Sequence, residues 1–271
     1  MVNAQPIIQN LLNANPLREP TLRSIIQSLN LPPSTHGLDA GCGIGLQALL
    51  LAEAVGTNGQ VTGLDILPEL LAYGETLVSE AGRSNQITFH AGDVSCLPFE
   101  ENSFDWAWSA DCVGYPAGDL EPSLKEFIRV VRPGGSIILL GWSSQQLLPG
   151  YPLLEARLNA TCSAYNPFFR DQCPESHFAR AARCFQSLGL EDLQSQTFAG
   201  DVQAPLDKEV RAALSSLFEM LWGTPQPEVT AKDWADYKRL CSPGSSDFIL
   251  NIPEYYAFFT YSMFRGRIPG R

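Results

Sequence analysis

Basic residues are scarce in this chain and scattered. Lys and Arg number 18 against 29 Asp and Glu, a formal net charge of −11. Holding a nucleic acid requires clustered Lys and Arg to neutralise phosphates, and no such cluster occurs, so DNA, RNA and anionic membrane surfaces are not the expected partners. No apolar run approaches the roughly 20 residues of a membrane-spanning helix. The stretch before Arg18 has neither a basic residue nor a long apolar core, so it does not read as a secretion signal. The expectation is a cytoplasmic protein without membrane insertion. Seven cysteines include no Cys-x-x-Cys pair and no His-rich spacing, which fits a reducing compartment and predicts no metal site. Histidine is rarer still, with three residues. His36 and His90 fall in or beside β-like segments and His177 in a helix-like one, so none is placed as a general base.

Glycine, by contrast, is concentrated where it matters. Leu38-Asp39-Ala40-Gly41-Cys42-Gly43-Ile44-Gly45 sets three glycines at alternate positions, after a short apolar run and before a helix-like segment at residues 46–55. Lacking Cβ, these residues let the backbone turn tightly and a ligand approach its amides. The helix N-terminus behind them adds free N–H groups and partial positive charge. Asp65 follows Gly45 by twenty residues, at the end of the apolar run Val61-Thr62-Gly63-Leu64. A carboxylate at the tip of the neighbouring strand suits a ribose diol. A nucleoside-containing cofactor is the expectation.

Further segments follow in order. Ile87-Thr88-Phe89-His90-Ala91-Gly92-Asp93-Val94 ends a third strand in another carboxylate, with Leu97-Pro98-Phe99 just after it. Phe104-Asp105-Trp106-Ala107-Trp108-Ser109 reads as a fourth strand. Arg129-Val130-Val131-Arg132-Pro133-Gly134-Gly135 ends a helix and turns into the buried strand Ser136-Ile137-Ile138-Leu139-Leu140. In these motifs residues 38–140 resemble the class I S-adenosylmethionine-dependent methyltransferases. Within them the chain is most similar to the small-molecule branch that includes the quinone-biosynthesis enzymes.

That resemblance implies a Rossmann-like α/β fold, with a seven-stranded, mostly parallel sheet and an antiparallel last strand. It also implies methyl transfer from S-adenosylmethionine to a small-molecule acceptor, leaving S-adenosylhomocysteine. The implied cofactor residues are Asp39, Gly41, Cys42, Gly43, Gly45, Asp65, Ile66, Asp93, Val94 and Ser109. Among them Asp39 would fix the loop and meet the methionine amino group, and Asp65 the ribose hydroxyls. Asp93 would accept from the adenine amine, between the apolar faces of Ile66 and Val94, with Leu97 as added cover. Cys42 reads as a packing residue rather than a nucleophile, and Asp105 as structural. Gly37 departs from the family pattern, which has an aliphatic residue there, so a short first strand is expected.

Two alternatives remain open at this point. A nicotinamide-dependent oxidoreductase prefers Gly-x-Gly-x-x-Gly, whereas this chain has Gly-x-Gly-x-Gly and no Tyr-x-x-x-Lys pair. A protein that binds S-adenosylmethionine without chemistry would keep the same pocket.

The flanking segments complete the expected architecture. Residues 1–34 form an N-terminal helical cap of two pieces, 6–14 and 20–29, ahead of the Pro32-Pro33 break; residues 35–271 form the methyltransferase domain. Helices are expected over 68–81, from Pro122 onward and over 174–188, a sixth strand over 193–198 and a closing antiparallel strand within 254–268. Insertions at about 142–173 and 203–250 leave the ligand-binding sheet edge and are expected as lids. They carry Trp142, Tyr151, Tyr165, Phe168, Phe169, Phe218, Met220, Trp222, Trp234 and Tyr237, which form either the lids' own core or an enclosed, partly aromatic pocket. In the loop after strand four, Asp111 is either a base or a cap, and Tyr115 is placed to orient the acceptor. That loop lacks the Asn/Asp-Pro-Pro-Tyr/Phe motif of enzymes that methylate nucleic-acid amines.

Overall fold

A computed structural model describes residues 4–114, 120–160 and 177–270. The elements run α1 (Ala4–Ser28), β1 (His36–Ala40), α2 (Leu46–Val55), β2 (Gln60–Asp65), α3 (Pro68–Glu80), β3 (Ile87–Ala91), β4 (Phe104–Ala110), α4 (Leu120–Val130), β5 (Val131–Gln146) and α5 (Pro152–Ala160). After a short 3-10 turn come α6 (Ala181–Ser187), β6 (Glu191–Gln203), α7 (Lys208–Trp222), α8 (Ala231–Cys241) and β7 (Tyr256–Arg267). The strands make one seven-stranded sheet in the order β3-β2-β1-β4-β5-β7-β6. The first five pair in parallel, and β7 is antiparallel to both β5 and β6. This is the expected doubly wound sheet with a reversed last strand.

Both faces are covered, as a parallel sheet requires. On one face Trp106 and Trp108 of β4 pack among Ile25, Ile26, Leu51, Phe218 and Tyr261. On the other, Leu38 and Ala107 meet Leu124 and Phe127 of α4 and Phe185 of α6. Gly37 has a packing explanation. A Cβ there would lie 2.0 Å from Cζ2 of Trp106, so the indole occupies the space an aliphatic side chain would take. The ring is held by Trp106 Nε1 donating to Thr35 Oγ1 at 3.0 Å. Asp105 is structural, as expected: it accepts the His36 N–H at 2.7 Å and pairs with Arg132.

Several boundaries differ from the sequence expectation. The N-terminal cap is one 25-residue helix with Pro16 and Pro20 inside it, not two pieces. Each proline removes one backbone donor, yet Leu17, Leu22, Ile25 and Ile26 anchor the C-terminal half in the main core. Ala4 and Ile8 anchor the other half against Ile44 and Leu70. Burial along one continuous face outweighs the missing bonds. Strand β5 reaches Gln146 instead of stopping near Leu140, because β7 continues the ladder to Gln146↔Phe258. The partnership with β7 likewise extends β6 in both directions, to 191–203. Helix α4 starts at Leu120, ahead of Pro122. His177 is not inside a helix but caps the 3-10 turn, its ring accepting from Ala179 N–H at 3.2 Å. Residues 174–176 lie outside the described residues.

Two helices, α7 and α8, come from the second insertion. Each is started by a side-chain cap: Asp207 accepts from Val210 N–H at 2.7 Å, and Thr230 from Asp233 N–H at 3.1 Å. Among the described residues, most aromatic side chains of the insertions pack against other aromatic rings, while Tyr151 is exposed. Phe218 stacks on Trp222, Trp234 on Tyr237, and Trp142 on Phe259 of β7. Tyr165, Phe168 and Phe169 lie outside the described residues. Among the described residues, no helix is long and apolar enough to cross a membrane.

Candidate active site

The glycine loop joins β1 to α2 at the carboxyl edge of the sheet. Gly41, Gly43 and Gly45 all have positive φ, at +79°, +56° and +77°, a region costly for other residues. A Cβ on Gly41 would also fall 2.4 Å from Cys112 Sγ, and one on Gly45 2.6 Å from the Phe89 ring. Gly45 is thus needed as much for seating α2 on β3 as for the loop itself.

Asp65, at the end of β2, holds this loop from below. Its Oδ2 accepts the Gly43 N–H at 2.9 Å and its Oδ1 the Leu67 N–H at 3.0 Å. A carboxylate has lone pairs for further donors, and Asp65 lines a cavity of about 340 Å³. Asp39, on the central strand β1, is 2% exposed, and its Oδ2 has no hydrogen-bond partner. Burial pushes its carboxyl up to about 8, and the neighbouring Asp65 charge acts in the same direction. Asp39 lies behind the glycine cradle and, like Asp93, is not part of the cavity wall; a buried carboxyl without a partner is an uncommon feature that marks a candidate functional position.

The other expected residues divide. Ile66 is 65% exposed, an uncommon position for a large aliphatic residue, and Val94 is half-buried. Asp93 is exposed and accepts from Ser95 N–H and Oγ–H at 2.8 and 2.7 Å, bonds that hold its carboxyl below the usual range. These three lie outside the cavity wall. Leu97 is buried, its N–H donated to Glu126. Ser109 does not offer its hydroxyl to a ligand. The side chain is buried and donates to the Ala40 carbonyl at 2.8 Å, tying β4 to β1. Burial pushes the Cys42 thiol far up, which removes it as a nucleophile.

Asp111, in the left-handed region at φ +52°, lines the same cavity. Its Oδ2 pairs with Arg18 of α1, and its Oδ1 accepts the Trp142 N–H at 2.7 Å. Arg18 Nε donates to the Tyr261 hydroxyl at 2.6 Å. Both carboxylate oxygens are therefore engaged. Tyr115 lies outside the described residues.

The first-helix wall was not legible as part of the site. Ile7, Leu11, Asn15, Arg18 and Leu22 of α1 face the glycine loop across the cavity. They recur every three or four residues, one face of a helix. Reading α1 as two pieces separated by prolines hid that periodicity. Leu67 and Leu70 of α3 add to the wall, whose apolar part is aliphatic among the described residues. Gln47 also lines it and is held by Trp108 Nε1–H at 2.9 Å.

Comparison with known proteins separates a shared fold from a shared family. A family model described as a methyltransferase domain matches residues 38–135. The demethylmenaquinone methyltransferase of Bacillus pumilus is 31% identical over 190 residues, 65% of this chain and 79% of that protein. The chain belongs to the class I S-adenosylmethionine-dependent methyltransferases. A rice chloroplastic protein described as a probable tocopherol O-methyltransferase is 30% identical over 196 residues, 69% of this chain but 52% of its own length. The crystal structure of YcgJ from Bacillus subtilis superposes with a TM-score of 0.57 at 19% identity, over 92% of this chain and 99% of that one. That likeness shows the fold alone.

The methyltransferase site fits its cofactor on this chain's own observations: the orphaned Asp39 oxygen, the glycine cradle and the Asp65 carboxylate beneath it. Among the described residues no cluster of His, Cys, Asp and Glu is arranged to hold a metal. Asp65→Ala should reduce affinity for S-adenosylhomocysteine by about 1–3 kcal/mol, the scale of a charge-assisted bond. Calorimetric titration checks this, and unchanged affinity would remove Asp65 from the site.

Proposed function

We propose that the methyl acceptor is an apolar ring compound bearing a hydroxyl group, of the quinol or chromanol class, methylated in the cavity beneath α1. The observation that carries this reading is the aliphatic wall of Ile7, Leu11, Leu22, Ile44, Leu67 and Leu70 around a few polar groups, the composition of a pocket for a small apolar ligand. The names of the Bacillus pumilus and rice relatives, one a demethylmenaquinone and the other a probable tocopherol methyltransferase, support the same class.

Bound S-adenosylmethionine supplies a sulfonium-linked methyl group whose bonding pair returns to sulfur on transfer. The protein's work is alignment and exclusion of water. Asp39 and Asp65 hold the cofactor side, and the aliphatic face of α1 keeps the reacting edge dry. Asp111 holds the Arg18 guanidinium and the Trp142 N–H.

The test is methyl transfer from labelled S-adenosylmethionine to a panel of short-chain hydroquinones, chromanols and secondary amines. Label in the hydroquinones or chromanols is expected; label confined to the amines would overturn the acceptor class. A parallel unfolding scan should show stabilisation of a few degrees by saturating S-adenosylhomocysteine and none by NADH.

A further inference from the structure

The amino-acid end of S-adenosylmethionine carries two charges, an ammonium and a carboxylate, and the site has an evident partner for only the first. On the methyltransferase reading Asp39, with its Oδ2 unpartnered behind the glycine loop, is the anion assigned to the ammonium. The carboxylate needs donors, and the glycine loop has almost none left. The N–H groups of Gly41 and Cys42 both go to the Leu64 carbonyl, at 2.8 and 2.9 Å, and that of Gly45 goes to the Cys42 carbonyl at 2.9 Å. The Gly43 N–H is taken by Asp65. The N–H groups of Gly41, Cys42, Gly43 and Gly45 are thus committed to the fold, which leaves the first turn of α2 and a side-chain cation as anion holders.

Across the cavity stands one cation. Arg18 is the only Lys or Arg among the described residues that line it. Two sides of its guanidinium are fastened, Nε to the Tyr261 hydroxyl and Nη2 to Asp111. Nη1 makes no hydrogen bond to any described residue. Tyr261 is fully buried on β7, and Asp111 is itself pinned by the Trp142 N–H. The planar group is therefore held by Tyr261 of β7 and by Asp111 just after β4, with one edge left over, the preorganised form in which arginine recognises carboxylates.

We propose that Arg18 binds the carboxylate of S-adenosylmethionine, so that α1 is part of the cofactor site as well as its roof. The proposal rests on the methyltransferase reading above and adds a residue that none of the motifs at 38–140 contains. Asp111 and Tyr261 then act as positioning residues, through Arg18. The cofactor then bridges the sheet and the N-terminal helix.

Binding of two ligands separates this from a purely structural Arg18. S-adenosylhomocysteine carries both charges, whereas 5′-(3-aminopropylthio)-5′-deoxyadenosine keeps the ammonium and lacks the carboxylate. Both are titrated calorimetrically into the full chain, into Arg18→Gln and into Arg18→Lys. In the unaltered protein S-adenosylhomocysteine should bind roughly 10- to 100-fold more tightly than the decarboxylated compound, the scale of one charge-assisted contact. Arg18→Gln should erase that preference by weakening S-adenosylhomocysteine alone, and Arg18→Lys should restore part of it. Equal losses for both ligands would make Arg18 a structural tie and overturn the proposal, and so would no loss for either. Binding of neither ligand by the unaltered chain would overturn the cofactor reading itself.

Discussion

Asp39→Asn is expected to yield a protein that is more stable at neutral pH yet binds its cofactor poorly. The buried carboxyl has no partner for Oδ2 and is pushed from its ordinary 3.8 to about 8 in the folded state. Between those values the folded chain holds a proton that the unfolded chain has released. Stability contributed by this group is thus complete below about pH 4 and declines as pH rises through 8. Across that window the decline is on the order of 6 kcal/mol, at about 1.4 kcal/mol for each pH step of one. The asparagine variant has no such proton, so this component of its pH dependence should vanish. Urea unfolding of the ligand-free proteins at several pH values checks the slope, and parallel slopes would show that Asp39 is ionised in the fold.

The cofactor should reverse the comparison. Its ammonium stabilises the ionised carboxylate, so Asp39→Asn should cost about 1.5–3 kcal/mol of S-adenosylhomocysteine affinity, roughly 10- to 150-fold. In the unaltered protein, binding near pH 6 should release protons from Asp39, visible as a dependence of the binding enthalpy on the buffer's ionisation enthalpy. With both results, Asp39 would be a group that destabilises the free fold and is relieved by the ligand, a common trade between stability and function.

Gly37→Ala is expected to be the most damaging single-methyl change in the central strand. The new Cβ would lie 2.0–2.2 Å from three atoms of the Trp106 ring, at a position where β1 is fixed on both sides by β2 and β4. Overpacking commonly costs about 1–3 kcal/mol; with a buried indole that is hydrogen-bonded to Thr35, about 3 kcal/mol or more is expected. Trp106→Leu alone should also destabilise, by leaving a cavity. Combined with Gly37→Ala it removes the clashing ring atoms, so the double variant should be more stable than the sum of the single losses implies, by about 1–3 kcal/mol. Additive losses would mean that the alanine is accommodated by movement of β1 instead.

Local chemistry made the first half of the chain legible. The alternating glycines of the loop and the proline that starts α3 are read from neighbouring residues, and α2 and α3 fall within a residue of where these place them. Asp65 stands at the carboxyl edge because it closes the apolar run of β2, and Asp39 sits one residue before the end of β1. The partner of the Ser109 hydroxyl could not be read locally: the Ala40 carbonyl comes from a strand 69 residues away.

By itself, then, the sequence determined the nucleotide-type loop, the succession of strands along its first half and the family resemblance, since these depend on turns, periods and spacings within a few residues. Tertiary structure alone decided the length of β5 and β6, which β7 lengthens by pairing with both. Only there does α1 run unbroken through Pro16 and Pro20, because its buried face meets core on either side of them. The same holds for the environment of Asp111. Whether that carboxylate is a base or an anchor depends on Arg18, 93 residues earlier, and no local pattern specifies a charge pair that forms only when a helix closes over a sheet.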